Sequence, residues 1–99
     1  MSLTTHQTRY LRGLTHHLAP VVTVADKGLT ENVMTEIDNA LTHHELIKVK
    51  LRADRRQRQA WIADIEAAFA PETVHVIGQV ASFYRRNPKK PVIALPGGS

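Results

Sequence analysis

The sequence predicts an α/β (α+β) domain: a mixed four-stranded sheet packed against helices, with elements in the order α-β-α-β-α-β-β. Three observations predict it. Residues 21–24 read Val-Val-Thr-Val, a β-branched run suited to a pleated, buried environment. In Leu46–Ile47–Lys48–Val49–Lys50–Leu51–Arg52 the apolar period changes from helical spacing to strict alternation. Gly78–Gln79 then separates two further strand-like runs, with Gly first as a type II′ hairpin turn needs. Ninety-nine residues with a hydrophobic share of 42% suffice for one domain around one modest core. That domain is expected over 1–96, with 97–99 a loose tail.

The first helix is predicted over 4–17, capped by Thr4 or Thr5. Leu3, Gln7, Tyr10, Leu11, Leu14 and Leu18 recur there on one narrow face, and Arg9, Arg12, His16 and His17 lie largely off it. Gly13 weakens this helix, by about 1 kcal/mol relative to Ala. Pro20 ends the connection and opens the extended run. Asp26, Lys27 and Gly28 do not extend that strand readily, and Gly28 can take the positive φ of a sharp turn. Thr30 is placed to cap a second helix over 31–43, with Glu31 at the positive end of its dipole. Val33, Met34, Ile37, Ala40 and Leu41 form its buried stripe.

In the strand over 46–52, Ile47, Val49 and Leu51 face the core, while Lys48, Lys50 and Arg52 form a basic row on the other side. Like charges on one strand face cost stability unless a partner or solvent screens them. Asp54 caps a third helix, with Gln57 placed to complete a capping box. Ala60, Trp61, Ile62, Ile65, Ala68 and Phe69 supply its apolar face. Arg55, Arg56 and Arg58 crowd its first turn, where each cation opposes the helix dipole by about 0.3–1 kcal/mol. That placement points to another use, such as phosphate contact.

Pro71 ends the third helix, and strands at 73–77 and 80–85 follow around the hairpin turn. Tyr84 stands beside Arg85 and Arg86, planar groups that can stack on unpaired bases, although a core or rim tyrosine fits the same pattern. Residues 87–90 form a basic link, and 92–95 a short apolar segment. The helical crossovers from first to second and from second to third strand favour parallel neighbours, with helices mainly on one face. The uncovered face, or its edge, would then display the basic row.

Thirteen Lys and Arg against nine Asp and Glu favour a polyanionic partner, nucleic acid first. The chain has no cysteine, which excludes disulfides, thiol nucleophiles and Cys-based zinc sites. No apolar run reaches membrane-spanning length and the start does not read as a signal peptide, so no membrane association and a cytoplasmic location are expected. Four of the six histidines are adjacent pairs, His16–His17 and His43–His44, and none form His-x-x-x-His, so no metal or other cofactor is expected. No G-x-S-x-G, P-loop or paired-carboxylate pattern points to an enzyme. The cations spread over a strand, loops and helix starts, which suits a shaped RNA surface better than one DNA-recognition helix. A protein-interaction module or a general nucleic-acid-binding module is the alternative, and a monomer is expected.

The stretch 25–30 turns a strand into a helix, with backbone N–H groups directed outward. Such a turn favours an anion, although an ordinary connection would use the same residues. The candidate RNA-contacting surface comprises Lys27, Gly28, Lys48, Lys50, Arg52, Arg55, Arg56, Tyr84 and Arg85, with Arg12 and His16 on the first helix. No catalytic residue is assigned.

Nearly the whole chain resembles, in one register, the YhbY family, the free-standing form of the CRM RNA-binding domain. Leu3–Thr4, Gln7, Leu11–Arg12, His16–His17–Leu18, Pro20–Val21–Val22 and Gly28–Leu29–Thr30 carry the first half of the resemblance. The densest match is His43–His44–Glu45–Leu46–Ile47–Lys48–Val49–Lys50, followed by Asp54–Arg55, Val76–Ile77–Gly78, Tyr84–Arg85 and the stretch 90–96. The resemblance implies a fold like the C-terminal domain of translation initiation factor 3, related to KH domains. It also implies ribosomal RNA, within precursors of the large ribosomal subunit, as the partner, and a role in their assembly. The family's Gly-x-x-Gly loop corresponds to Ala25–Asp26–Lys27–Gly28, in which only the second glycine is kept. Asp26 puts a negative charge in that loop, Gln79 stands where the family often has a basic residue, and Ala19 replaces a common lysine. These departures are expected either to weaken RNA affinity or to shift contact towards Lys48, Lys50, Arg52 and the arginines of the third helix.

Overall fold

The computed structural model describes residues 3–97, so 98–99 of the expected tail lie outside the described residues. The elements are α1 (Thr5–Thr15), β1 (Pro20–Val24), α2 (Glu31–His44), β2 (Leu46–Leu51), α3 (Arg55–Phe69), β3 (Glu72–Ile77) and β4 (Val80–Tyr84). Among the described residues, no helix is long and apolar enough to cross a membrane.

Each helix starts on a side-chain oxygen that satisfies an otherwise unpaired backbone donor. The Thr4 hydroxyl accepts Gln7 N–H at 3.1 Å, and the Gln7 side-chain oxygen accepts Thr4 N–H at 3.0 Å, closing a capping box. Thr30 accepts from Val33 at 3.2 Å, and Asp54 from Gln57 at 2.9 Å. The return bond from the Gln57 side chain, expected of a capping box, is not made. Helix α1 stops at Thr15, before His16 and His17, because the backbone there closes tighter turns onto Gly13, Leu14 and Thr15.

The strand order is β1-β2-β4-β3; β1 and β2 are parallel and the other pairs antiparallel. The expectation that β3 would lie beside β2 is therefore corrected. The α3 crossover carries β3 one place further out, and the hairpin returns β4 into the gap. Burial explains the choice. Ala81 and Phe83 of β4 are fully buried, whereas Val76 and Ile77 of β3 are exposed, so the more apolar strand takes the central position. Gly78 adopts φ +55° while Gln79 keeps a negative φ, the combination of a type II′ turn.

The sheet is covered unequally. Helices α2 and α3 lay Ile37, Leu41, Trp61 and Ile65 on Val22, Val24, Ile47, Val49, Leu51, Ala81 and Phe83. Ala60 and Ala68, expected on the apolar face of α3, are exposed instead. On the opposite face α1 covers only one half, where Leu11 packs with Leu46, Val74 and Tyr84. The partner pairs Val24–Leu51, Lys50–Val80 and Ile77–Val80 bring the ends of β1, β2 and β3 and the β3–β4 turn to one end of the sheet.

After β4 the chain is anchored by Glu45, which is fully buried. Its carboxylate accepts the backbone N–H groups of Asn87, Val92 and Ile93, and its carbonyl accepts from Arg85. Ile93 and Leu95 thereby pack against the α1 cluster.

Candidate nucleic-acid interface

The eleven residues singled out in the sequence fall into three places. The first is the end of the sheet where β1, β2 and β3 finish. Gly28 turns the chain there with φ +70°, donating to Ala25 O at 2.8 Å and accepting from Thr30 N at 2.9 Å. A Cβ on Gly28 would lie 3.6 Å from Trp61 Nε1, an ordinary contact, so the backbone angle rather than crowding reserves this position for glycine. Arg52 N donates to Val24 O at 2.9 Å and Leu51 N to Gln79 O, which ties the β1–α2 loop, the β2–α3 loop and the hairpin turn together.

Ala25, Asp26, Arg52, Ala53 and Gln79 line one shallow concavity of about 370 Å³ at this end. Lys27, Arg55 and Arg56 stand exposed on the same loops and helix start. The side chains of Lys27, Arg52, Arg55 and Arg56 make no ion pair or hydrogen bond among the described residues. Arg58, by contrast, commits its guanidinium to Ala53 O at 2.7 Å. With no acidic residue in the first turn of α3, only the Asp54 cap offsets the two free arginines there. The end thus carries a cationic excess, with Asp26, the Asp54 cap and Glu31 at the start of α2 as its acidic points.

The second place is the α1-side face of the sheet. Lys48 and Lys50 point to it, since Ile47, Val49 and Leu51 occupy the other face. Lys48 Nζ donates to Leu18 O at 3.0 Å, and His16 lies beside it at the end of α1. Arg12 Nε donates to Val74 O at 3.1 Å, on the irregular stretch of β3 between Thr73 and His75, and so ties α1 to that edge.

The third place is a correction. Tyr84 and Arg85 sit at the opposite end of the sheet, where Tyr84 pairs with Leu46 at the start of β2. The length of β2, roughly 16 Å of strand, separates them from the Gly28 turn. Tyr84 is only 2% exposed and packs with Leu11, Leu46 and Val74, so its ring is not free to stack on a base. Burial raises its hydroxyl pKa above the ordinary value; the nearby Glu45 carboxylate adds to the rise and Arg86 opposes it. Arg85 pairs with Asp38 at 2.9 Å and donates to Thr42 Oγ1 at 2.9 Å and Asp38 O at 3.2 Å, stapling β4 to α2. A guanidinium so occupied holds the fold. His75, which sequence reasoning passed over, faces the α1-side groove with His16 and Lys48. Strict alternation would send it to the face opposite Val74; the irregularity between Thr73 and His75 brings both residues to the α1 side, and the sequence carries no signal for that shift. Among the described residues no cluster of three potential metal ligands occurs.

The class that this fold and site define is a small α/β module that presents a cationic loop end beside a half-open sheet face. Residues 3–85 match the CRS1/YhbY (CRM) domain, and the chain belongs to that family. It is 46% identical over 90 residues to the Pseudomonas aeruginosa protein named "Probable RNA-binding protein PA4753", covering 90% of this chain and 86% of the relative. A Haemophilus influenzae protein named "RNA-binding protein" is 48% identical over 85 residues, covering 85% and 86%. The solution structure of the hypothetical protein SAV1595 from Staphylococcus aureus has a similar fold, with a TM-score of 0.79 at 33% identity, covering 96% of this chain and all of that one.

Proposed function

We propose that this chain binds RNA without catalysis and, in the cytoplasm, assists assembly of the large ribosomal subunit by associating with its precursors. The observation that carries the reading is the convergence of Lys27, Arg52, Arg55 and Arg56, none of them paired among the described residues, around the Gly28 turn in a CRM-family fold. Cations left free by the fold can each neutralise a phosphate and release condensed counterions. Gly28 lets the backbone approach a phosphate closely. Asp26 repels that phosphate, which directs contact towards Lys27 and Arg52 on either side. Lys50, at the rim of the open sheet face, extends the same cationic surface. Relatives named as RNA-binding proteins support RNA over DNA or protein as the partner.

Sedimentation of cell extract, with the chain followed by antibody at low and moderate salt, tests the ribosomal part. Signal with particles slightly lighter than the mature large subunit is expected. A chain that stays at the top of the gradient at both salts overturns the assembly role, and binding to isolated ribosomal proteins but not to naked ribosomal RNA would replace it with protein interaction.

A further inference from the structure

The half of the α1-side face that α1 leaves open contains a groove of about 210 Å³ between the end of α1 and strands β4 and β3. Thr15, His16, Lys48, His75 and Ser82 supply its polar lining, and Ile77 and Val80 part of its apolar lining. Among the described residues no acidic side chain lines it, in contrast to the end concavity with its Asp26. Lys48 is held in place by its bond to Leu18 O, which uses one of its three ammonium donors and leaves two to face a ligand.

None of the larger rings serves this groove. Trp61, Phe83 and Tyr84 are buried, Phe69 packs on the main core, and Tyr10, though exposed, does not line the groove. Among the described residues that line the groove the planar side chains are therefore the two imidazoles, and histidine is among the side chains that stack on unpaired bases. A paired base in an A-form helix keeps its faces inside the stack and shows only its edges, in a deep major groove or a shallow minor one. Only a base turned out of the stack can enter a recess walled by α1.

We propose that this groove takes one unpaired nucleotide of the bound RNA, its base against His16 and His75 and its phosphate at Lys48. The inference rests on the RNA-binding reading above and adds to it a preference for a bulged or looped residue. Duplex phosphates engage the Gly28 end, while the turned-out nucleotide engages the sheet face.

The test compares two labelled RNA hairpins by fluorescence anisotropy, identical except for one bulged uridine. The full chain is expected to bind the bulged stem tighter by about fivefold or more, the effect of one modest stacking contact. The H16A/H75A double variant is expected to bind the two stems equally. Equal binding of both stems by the unaltered chain overturns the groove and leaves the RNA-binding reading intact, as does a double variant that keeps the preference. Failure to bind either stem overturns both. Should the double variant not fold, 4-thiouridine at the bulge, crosslinked to the unaltered chain, decides instead. Adducts within 75–82 or at His16 support the groove, and adducts confined to 25–28 overturn it.

Discussion

The Glu45 carboxylate accepts the backbone N–H of Asn87 at 2.6 Å, across the turn where α2 meets β2. Its other oxygen takes the N–H groups of Val92 and Ile93 at 2.7 Å each. Glu45 itself holds φ +64° and ψ −46°, an angle pair that strains a non-glycine residue by about 1–3 kcal/mol. Three charge-assisted bonds from backbone donors offset that strain.

Glu45→Ala would leave those donors without their acceptor. The expected loss is about 2–4 kcal/mol, read as a lower urea midpoint. Glu45→Gln, which keeps one acceptor oxygen, should lose less. An unchanged midpoint in the Ala variant would show that the 87–93 segment adds nothing to stability.

Tyr84 links burial to pH. Its pKa is raised in the folded chain, first by burial and then by Glu45. From about pH 10 upward the unfolded chain releases the phenolic proton before the folded one does, so stability falls as pH rises through that window. Tyr84→Phe has no proton to lose. Its stability should match the unaltered chain within about 0.5 kcal/mol at neutral pH and exceed it above pH 10, by chemical unfolding at several pH values. Parallel curves for the two proteins would refute the link.

Free and occupied arginines should separate in the salt dependence of RNA binding. Each of Arg52→Ala, Arg55→Ala and Arg56→Ala is expected to flatten the plot of log affinity against log salt by roughly 0.7–0.9 for each phosphate that is no longer neutralised. Lys48→Ala and Lys50→Ala together should do the same on the sheet face. Arg85→Ala should leave the slope alone and lower stability, since Asp38 and Thr42 are then without their partner. A slope that changes with Arg85 and not with Arg52 would move the interface to the other end of the sheet.

Gly28→Ala should cost about 1–2 kcal/mol through the left-handed backbone angle, with Trp61 able to accept the methyl at 3.6 Å. Trp61 is the sole tryptophan and lies under this turn, so its emission reports on the loop directly. RNA titrated into the unaltered chain should change that emission. A constant signal at saturation would exclude contact at the Gly28 turn.

Local chemistry was legible in the sequence. Thr30 and Asp54 cap the helices they were expected to cap, the alternation at 46–51 sends its aliphatics to the core, and Gly78 opens a two-residue hairpin, because each depends on neighbours a few residues away. The family match was legible for a similar reason, since residue types in one register survive without any knowledge of contacts. Tertiary structure alone decided that β4 lies between β2 and β3, because strand adjacency is a choice among non-local pairings that crossovers do not specify. From that choice follow the burial of Tyr84 beside Leu46, the capture of Arg85 by α2, and the meeting of His16, Lys48 and His75 on one face. Sequence determined which groups could carry charge or planarity, and only the packing of distant segments decided which of them the fold consumed and which it left free.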